Sequence, residues 1–484
     1  MEKGFQKARD EENRMKQKVS SCPFRMRYHI MPPVGWLNDP NGLCRFQGEF
    51  HAYFQYSPLS VHGGGGYWGH CVSKDLLHWE YREPVLTTDT AEDRSGVYSG
   101  SSLIENDTMY LFYTGNVKLK GAYDYIDAGR ISSQLMVESR DGQNMSEKEK
   151  VLGMEDYPDD ITQHVRDPKV WKENGSYYMV LGVRARAWDS EGDRRDKGGI
   201  LVYRSEDKKH WQLEHKIVPA EPFGYMWECP DIFTLDNERV LSFCPQGLEH
   251  ETERFQNIYQ AGYSLLNSSE NPADTFCEWD MGFDFYAPQT FDAGDGRRIL
   301  IGWAGLPEME ETHRNLTVEN GWQHCLTLPT ELILSNGKIR RIPVRELDAL
   351  KWQEVTSSQD DYCWTDKTVR LEITQIGTSG QSIRIGTETN ALNISVQGNK
   401  TEITFLNDKG TPMRCGGGRD YRIGHTEKSV EKLLVLLDSS IAEIFVNDGE
   451  LAFTTRIYLE TSERRLQVTG TGLCRLEMIC GEDC

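Results

Sequence analysis

Three acidic residues that lie far apart in the chain, Asp39, Asp167 and Glu228, precede similar short segments. Asp39 and Asp167 are each followed by proline, and Glu228 is followed by cysteine and then proline. Two carboxyl groups that face each other across a small pocket can cleave a glycosidic bond, because one acts as nucleophile or base and the other as an acid with a raised pKa. This chemistry requires a fold that brings the acids together.

A strand–turn–strand segment recurs along the chain and could bring these acids together. The five copies begin at Pro40, Gly100, Pro168, Pro230 and Pro288. Each copy reads as an apolar strand, a polar turn and a second apolar or aromatic strand, which is typical of a β-propeller. Equivalent positions of successive blades surround one axis, and the three acids stand at, or one residue from, the same step of the repeat. We therefore expect all three at one end of the innermost strands, at the channel mouth.

Each of these motifs is weak when it is taken alone. The segment 36–42 (WLNDPNG) is rich in turn-forming residues, and such a stretch is more often a turn than a site. Arg166 beside Asp167 would usually be a surface ion pair. The shared register of the three acids is what favours a common pocket, and the proline after each motif suits the first residue of a strand.

Composition narrows the function classes. The 484 residues carry a formal net charge of −21 and a mean hydropathy of −0.60. A strongly acidic chain is a poor partner for nucleic acid and does not attract anionic substrates over long range. No stretch approaches the roughly 18 apolar residues that span a bilayer. The N-terminus has no apolar signal segment, so we predict a cytoplasmic protein whose twelve cysteines are reduced.

The composition and periodicity of the sequence predict four units: an N-terminal arm over 1–21, a propeller over 22–335, a linker or short helix over 336–352, and a β-sandwich over 353–484. In the last unit, apolar and polar residues alternate strictly, as in an antiparallel sandwich. A second repeated motif supports the repeat within the predicted propeller, residues 22–335. The pattern S-x-D-x-x-H-W occurs at 73–79 and at 205–211, and we interpret both as the same outer-strand turn in two blades.

A set of motifs in fixed order resembles glycoside hydrolase family 32. The motifs are WLNDPNG (36–42), FQYSP (54–58), WGH (68–70), YSGS (98–101), RDP (166–168), WECPD (227–231) and IGW (301–303). The resemblance continues in GFDFYAPQTF (282–291) and in LDSSIAEIFVNDG (437–449). It implies an all-β fold, a five-bladed β-propeller followed by a C-terminal β-sandwich. The implied activity is that of a β-fructofuranosidase, acting on sucrose or sucrose 6-phosphate.

The resemblance also implies the roles of individual residues. Asp39 would be the nucleophile, Glu228 the acid and base, and Asp167 the residue that stabilises the transition state. Net retention requires the nucleophile and the acid to lie about 5–5.5 Å apart. Arg166 has a local rationale, because a cation beside Asp167 would keep that carboxylate ionised. Positions that match the family's fructose-binding residues are Asn38, Gln55, Trp68, Tyr98, Ser99, Arg166 and Trp303.

Some alternatives stay open at this stage. The enzyme could be an exo-hydrolase of inulin-type or levan-type fructo-oligosaccharides, or it could transfer fructose to sugars. A non-catalytic sugar-binding propeller is a further possibility. A phosphorylated substrate would need a local basic patch, for which the candidates are Lys118, Lys120, Arg184, Arg186, Arg194 and Arg195. We expect a small-molecule sugar as the partner, no cofactor, no metal, no nucleic acid, no membrane, and a monomer or homodimer.

Overall fold

The computed structural model describes residues 2–269, 271–307, 315–356, 361–406 and 421–479. Within these ranges the chain forms one α-helix, α1 (Glu2–Ser20), and 33 strands in seven sheets. No helix in this part of the chain combines the length and the apolar character that crossing a membrane requires. The fold is therefore all-β, as the sequence predicts.

Five sheets follow one another in the first part of the chain. Sheet 1 contains β1 (Gly35–Phe46), β2 (Glu49–Ser57), β3 (Tyr67–Ser73) and β4 (Glu80–Thr87). Sheet 2 contains β5 (Gly96–Glu105), β6 (Thr108–Lys118), β7 (Arg130–Ser139) and β8 (Glu149–Leu152). Sheet 3 contains β9 (Ile161–Glu173), β10 (Ser176–Ala185), β11 (Lys197–Ser205) and β12 (Gln212–Ile217).

Two further sheets complete this part. Sheet 4 contains β13 (Met226–Leu235), β14 (Glu238–Gln246), β15 (Gly262–Leu265) and β16 (Cys277–Glu278). Sheet 5 contains β17 (Tyr286–Asp292), β18 (Arg298–Trp303), β20 (Thr330–Ser335) and β21 (Lys338–Pro343). The short strand β19 (Trp322–Gln323) lies between β18 and β20 in the chain, yet it pairs in parallel with β1 and so ties sheet 5 to sheet 1.

The first strand of every sheet carries a register shift at the same step of the repeat. The shifts fall at Leu37/Pro40, Val97/Gly100, Val180/Gly182 (opposite Asp167 and Pro168), Glu228/Asp231 and Tyr286/Gln289. A bulge of this kind bends a strand and redirects its side chains, and bulges are common next to active sites. Three of the bulged residues, Asp167, Cys229 and Ala287, have φ of 62°, 48° and 45°. The repeat seen in the sequence is thus a repeat of backbone geometry.

The first strands of the five sheets are neighbours in a cyclic order. β1 contacts β5, β5 contacts β9, β9 contacts β13, β13 contacts β17, and β17 contacts β1. Polar side chains just beyond the bulges join these strands: Asn41 Oδ1 accepts from Gly100 N at 3.0 Å, and Gln289 Nε2 donates to Gly100 O at 3.0 Å. As a consequence, the residues at the bulges of different sheets lie close together.

The last part of the chain is a sandwich of two six-stranded sheets. Sheet 6 runs in the order β22 (Trp352–Glu354), β33 (Leu473–Ile479), β24 (Thr368–Thr374), β29 (Lys432–Asp438), β30 (Ile441–Val446) and β31 (Leu451–Arg456). Sheet 7 runs in the order β23 (Asp361–Cys363), β32 (Arg465–Gly470), β25 (Gln381–Gly386), β26 (Ala391–Gln397), β27 (Lys400–Leu406) and β28 (Tyr421–His425). Alternate residues such as Leu371 of β24 and Ile383 of β25 share one buried core, as alternation predicts.

One segment differs from the sequence-based description, and a second packs on the protein in a way that the sequence does not show. Part of 336–352, for which the sequence predicts a linker or short helix, is β21, whose pairing with β20 extends sheet 5 through Pro343. The N-terminal arm is the helix α1, which is mostly accessible to solvent but packs on the protein through the buried residues Ala8 and Val19. Tyr56 of sheet 1 also donates to Glu12 at 2.8 Å. Both features arise because long-range packing covers parts of segments whose local sequence is polar.

The two S-x-D-x-x-H-W segments lie where the sequence predicts, between the third and fourth strands of sheets 1 and 3. In both, an aspartate accepts backbone N–H groups and the histidine ring, as Asp75 does from His78 N at 2.9 Å and Nδ1 at 2.5 Å. Sheet 2 contains a third copy of this turn, in which Asp141 accepts from Asn144 N and Nδ2, both at 2.7 Å. The third copy escapes a sequence search because asparagine replaces the histidine.

Candidate active site

Asp39 lies at the bulge of β1 with one donor on each carboxylate oxygen. Ser99, the equivalent residue of β5, donates from Oγ to Asp39 Oδ2 at 2.6 Å. Asn38 Nδ2 donates to Oδ1 at 3.1 Å, and Trp36 Nε1 in turn donates to Asn38 Oδ1 at 2.8 Å. These contacts fix the orientation of the Asp39 carboxylate. Burial raises its pKa, the charge of Glu228 adds to the rise, and the bonds from Ser99 and Asn38 oppose it.

Asp167 lies at the bulge of β9, with its side chain 6% exposed. Its Oδ2 accepts from Cys229 N at 3.0 Å, and its own N–H donates to Thr114 Oγ1 at 3.0 Å. Burial raises the pKa of Asp167 to about 7, with the charges of Glu228 and Asp39 adding to the rise. Arg166 and the Cys229 N–H oppose it. This carboxyl group therefore gains or loses a proton near neutral pH.

Glu228 lies one residue before the bulge position of β13 and is surrounded by donors. Arg166 donates to Oε1 from Nη2 at 2.7 Å and from Nε at 3.1 Å. Gln246 Nε2 and Tyr286 OH donate to Oε2 at 2.6 and 2.7 Å. The carboxyl group is thus held from both sides and remains 17% exposed at the pocket surface.

The three carboxyl groups form one cluster. Cys229 Sγ lies 4.0 Å from Asp39 Oδ2 and 3.7 Å from Asp167 Oδ2, and Arg166 Nε lies 3.9 Å from Asp167 Oδ2. Residues 39, 167 and 228 come from sheets 1, 3 and 4, so the structure brings together acids that the sequence separates. Three carboxylates, one buried and two partly buried, would carry an excess of negative charge beside one guanidinium. Mutual repulsion and desolvation therefore favour retention of a proton within the cluster.

The role expected of Arg166 needs a correction. The sequence argument pairs this cation with Asp167, its neighbour in the chain, to keep that carboxylate ionised. In the structure the guanidinium forms hydrogen bonds with Glu228 and is 3.9 Å from Asp167, and burial raises the pKa of Asp167 despite it. Adjacent residues of a strand point to opposite faces except where a bulge turns them, so adjacency in sequence is a poor guide to pairing here.

Some of the predicted sugar-binding residues contact the carboxyl cluster, and others are buried behind the pocket surface. Asn38, Ser99 and Arg166 contact the cluster directly, and Tyr98 lies half-buried beside it. Trp68 is fully buried and donates to Tyr98 O at 3.1 Å, so its expected contact with substrate is corrected to support of the pocket wall.

Two other predicted binding residues are also buried. Gln55 is 3% exposed and donates to Val97 O at 2.8 Å. Trp303 is 3% exposed and packs at 5.9 Å from the half-buried Trp36 ring, with its Nε1 lacking a hydrogen-bond partner among the described residues. Trp36 and Tyr98, which are half-buried, are therefore the aromatic side chains of this wall that a ligand can reach.

Sequence reasoning missed three residues of the site. Tyr286 and Gln246 hold Glu228, and His164 holds Arg166: its Nδ1 accepts from Arg166 Nη1 at 2.9 Å. Tyr286 could have been found by register, because it stands two residues before Pro288 as Glu228 stands two before Pro230. Burial, followed by the charge of Arg166, lowers the pKa of His164 to about 2, which keeps the ring neutral and able to accept.

Other candidate groups lie outside catalysis. The hydrogen bond with Cys244, together with burial, raises the pKa of Cys229 well above the ordinary thiol value, so this sulfur is a poor nucleophile. His29 and His70 are buried, and their ring nitrogens contact Asp438 and Gln143, outside the cluster of Asp39, Asp167 and Glu228. Within the described ranges, no three His, Cys, Asp or Glu side chains are arranged to hold a metal ion.

The chain matches known proteins in both of its parts. Residues 29–343 match the N-terminal domain of the glycosyl hydrolases family 32, and residues 366–472 match the C-terminal domain of that family. The chain belongs to glycoside hydrolase family 32. It is therefore a glycosidase, and the resemblance drawn from the sequence motifs is confirmed.

Family 32 relatives match nearly the whole chain. The sucrose-6-phosphate hydrolase of Bacillus subtilis is 34% identical over 472 residues, which cover 94% of this chain and 93% of that protein. The structure of sucrose-6-phosphate hydrolase from Lactobacillus gasseri has a TM-score of 0.81 at 27% identity and covers 97% of this chain and 96% of its own. The GH32 β-fructofuranosidase BmSUC1 of Bombyx mori has a TM-score of 0.82 at 28% identity, with 99% and 98% coverage.

Proposed function

We propose that this family 32 glycosidase is a retaining β-fructofuranosidase. It releases terminal β-D-fructofuranosyl units from sucrose-type substrates through a covalent fructosyl-enzyme. The observation that carries the proposal is the convergence of Asp39, Asp167 and Glu228 from three sheets on one partly exposed pocket. The near-full-length likeness to sucrose-6-phosphate hydrolases supports the substrate class.

In the first step, Asp39 attacks the anomeric carbon, C2, of the fructosyl unit. The bond from C2 to the leaving oxygen breaks as Glu228 gives that oxygen its proton, and a covalent ester joins Asp39 to the sugar. In the second step, Glu228 takes a proton from water, the hydroxide oxygen bonds to C2, and the Asp39 carboxylate leaves. Ser99 and Asn38 keep Asp39 aimed at C2 in both steps, because each binds one of its oxygens.

Tyr286 suits the alternation of Glu228 between acid and base. A phenolic hydroxyl donates to a carboxylate and accepts from a carboxylic acid, so the contact at 2.7 Å persists in both states. Arg166 holds the other oxygen of Glu228.

Asp167 supplies negative charge beside an oxocarbenium-like transition state. A buried anion interacts more strongly with a developing cation than with the neutral sugar, and this difference lowers the barrier. Asp167 does so only when it is ionised, and burial raises its pKa to about 7. We further predict that the carboxyl groups of Asp39 and Glu228 lie about 5–5.5 Å apart, as retention requires.

We propose in addition that the five sheets are the blades of a closed propeller. The cyclic contacts of the first strands and a cavity that all five strands line support closure. The propeller would extend through β21, and the sandwich would begin near residue 353. Whether the protein is a monomer or a homodimer can be measured by light scattering.

The preferred substrate under this proposal is sucrose 6-phosphate, with sucrose as the alternative. Four of the six candidate phosphate ligands are already paired with aspartates. These pairs are Arg184–Asp196, Arg186–Asp127, Arg194 with both of these acids, and Arg195–Asp189. Lys118 and Lys120 are the exposed candidates that remain. A sugar phosphate does not cross a bilayer unaided, because burying its charge is costly, so we propose a cytoplasmic location.

The decisive experiment is fructose release from sucrose and from sucrose 6-phosphate, measured as kcat/KM. A higher value for the phosphorylated sugar is expected, and replacing Lys118 and Lys120 with glutamine should reduce that preference. Arg195→Gln is the matched control for each single lysine substitution, because it removes one charge that Asp189 already neutralises. Equal values for the two sugars, unchanged by the lysine substitutions, would refute the phosphate preference.

The Asp39→Asn variant tests the catalytic assignment. It keeps the shape of the side chain but removes the nucleophile, so turnover should fall by about 10³-fold or more. Unchanged fructose release would refute the role of Asp39 and favour another site. Wild-type protein that binds sucrose without releasing fructose would instead identify a binding module, and faster release from 1-kestose than from either sucrose would favour a fructo-oligosaccharide exo-hydrolase.

A further inference from the structure

A cavity opens toward the end of the five first strands that lies away from the bulges. It has a volume of about 690 Å³ and is lined by corresponding segments of all five sheets: 43–45, 102–104, 169–173, 232–234 and 290–292, with three residues from second strands or turns. We call it the distal cavity. Asp39 precedes the first lining residue on β1 by four residues, or on the order of 10 Å of strand. On β9 the lining begins at Lys169, two residues after Asp167, and the Lys169 ammonium is paired with Asp231. The distal cavity therefore lies further along the strands than the carboxyl cluster.

Cationic side chains dominate its charged lining. Three of the cations are paired: Lys169 with Asp231 at 3.1 Å, Arg239 with Glu173 at 2.8 Å, and Lys172 with Glu105 at 2.5 Å. In each pair the carboxylate neutralises the cation, so two further lining cations remain to be considered.

The remaining cations are Arg45 and Arg298, which form no ion pair with any carboxylate in the described ranges. Arg45 lies over the Phe50 ring at 5.8 Å and donates one hydrogen bond, to Ala293 O at 3.3 Å. Arg298 lies over the Phe233 ring at 5.3 Å. Each guanidinium carries five N–H donors, so most of their donors stay available to the cavity.

One lining carboxylate is not paired with a cation. Asp292 is exposed, and its Oδ1 accepts from Gly294 N at 2.6 Å. The local excess is therefore positive in a chain whose formal net charge is −21. The remaining wall combines apolar residues, among them Leu43, Ile232 and Phe291, with the hydroxyl residues Ser102, Thr234 and Thr290. A concave site with apolar walls and a few convergent charged groups is typical of small-molecule binding.

We propose that the distal cavity binds a small molecule through a phosphoryl group, with Arg45 and Arg298 as its ligands. Guanidinium forks match the geometry of phosphate oxygens better than other cations do, because they bind in a bidentate manner. The apolar wall accommodates the remainder of the ligand. Free phosphate and a sugar phosphate share this chemistry, and the proposal does not depend on the substrate of the carboxyl cluster.

Isothermal titration calorimetry on the full-length protein tests the proposal, with inorganic phosphate and glucose 6-phosphate as probes and glucose as the neutral control. Wild-type protein should bind phosphate with a Kd of about 1 mM or tighter. Added NaCl should weaken the binding, because ionic contacts are screened. Tighter binding of glucose 6-phosphate would identify a sugar phosphate as the ligand, and equal binding would identify free phosphate.

Variants locate the site. Arg45→Gln and Arg298→Gln should each weaken phosphate binding about tenfold or more, as expected when a charge-assisted contact is lost. Arg340→Gln removes the same charge from β21 of sheet 5, outside this cavity, and should leave the Kd unchanged. Asp39→Asn should also retain binding, which separates this site from the carboxyl cluster.

Two results would overturn the proposal. One is the absence of phosphate binding by wild-type protein up to about 10 mM, ten times the expected Kd. The other is unchanged binding in both the Arg45→Gln and the Arg298→Gln variant. Sucrose hydrolysis by these two variants serves as the folding check, because neither residue contacts the carboxyl cluster. A variant that lost hydrolysis would be replaced by the lysine substitution at the same position, which keeps the charge but removes the fork and should still weaken binding.

Discussion

His29 lies between α1 and β1 and joins this stretch of the chain to the sandwich through a buried ion triad. Its Nδ1 lies 2.8 Å from Asp438 Oδ2 and its Nε2 lies 3.1 Å from Glu443 Oε2, with all three side chains at most 1% exposed. Asp438 also accepts from Tyr28 N at 3.0 Å, and Glu443 accepts from Leu328 N at 3.0 Å. The triad therefore connects the N-terminal segment and the segment before β20 to sheet 6.

The free energy that this triad contributes can be worked out from the pKa of His29. Burial lowers that pKa, but the hydrogen bonds with Asp438 and Glu443 more than offset the burial and raise it from 6.5 to about 9. Each pKa unit corresponds to about 1.4 kcal/mol, so protonated His29 contributes about 3 kcal/mol. Because the folded-state pKa lies above the unfolded value, the contribution is complete below pH 6.5 and is lost as the pH rises from 6.5 to about 9.

The perturbation is His29→Gln, and the assay is urea unfolding followed by tryptophan fluorescence at several pH values from 6.5 to 9. The midpoint of each transition is followed separately, because a chain with two folded units need not unfold in one step. Wild-type stability should fall by about 3 kcal/mol across this range. The variant should lose that pH dependence and should be less stable at the lowest pH by about 3–5 kcal/mol, since two buried carboxylates lose their cation.

His210 provides the matched control. It forms a similar contact, 2.7 Å from Asp207, but its side chain is 89% exposed. His210→Gln should therefore change the unfolding midpoint very little, because solvent screens exposed pairs. If His29→Gln and wild type show the same pH dependence between pH 6.5 and 9, the triad does not carry the charge assigned to it, and the reasoning is refuted.

Two further predictions concern the carboxyl cluster and the scaffold. Arg166→Gln should raise the pKa of Asp167 above its value of about 7, because Arg166 is the cation that opposes the effect of burial. The acidic limb of kcat/KM should then move to higher pH, whereas Arg195→Gln, at an exposed pair, should leave it in place. Gly100→Ala should destabilise the fold by on the order of 3 kcal/mol, because its Cβ would lie 1.9 Å from a backbone oxygen of β6. Gly66→Ala, with open space around it, is the control in thermal unfolding.

The sequence predicts the scaffold well wherever one local pattern repeats. The strand–turn–strand copies predicted the first two strands of each of the first five sheets, because alternating apolar residues and turn formers act over a few residues. Asp39, Asp167 and Glu228 could be found for the same reason: they share a register, and equivalent positions converge when sheets are arranged around a common centre. The strict alternation after residue 353 likewise predicts the sandwich.

The sequence did not predict which side chains form hydrogen bonds between different sheets. Arg166 bonds to Glu228 rather than to its neighbour Asp167, because the bulge redirects consecutive side chains in ways that spacing does not encode. The burial of Trp68 and the pairing of β21 also depend on distant elements. Tyr286 is an intermediate case. The sequence shows that it occupies the position equivalent to Glu228, but a tyrosine at that position does not by itself indicate a hydrogen bond to a catalytic acid.

The kink shared by the five inner strands is a property of the main chain, so it presents whatever side chain stands there. Four sheets place Asp39, Ser99, Asp167 and Cys229 at that step, and the fifth places only the methyl group of Ala287. One of the five equivalent positions thus carries no polar side chain. Ala287 is fully buried in the apolar core, so a larger side chain there would have to displace its neighbours, and the fifth sheet contributes packing rather than a polar group at this step.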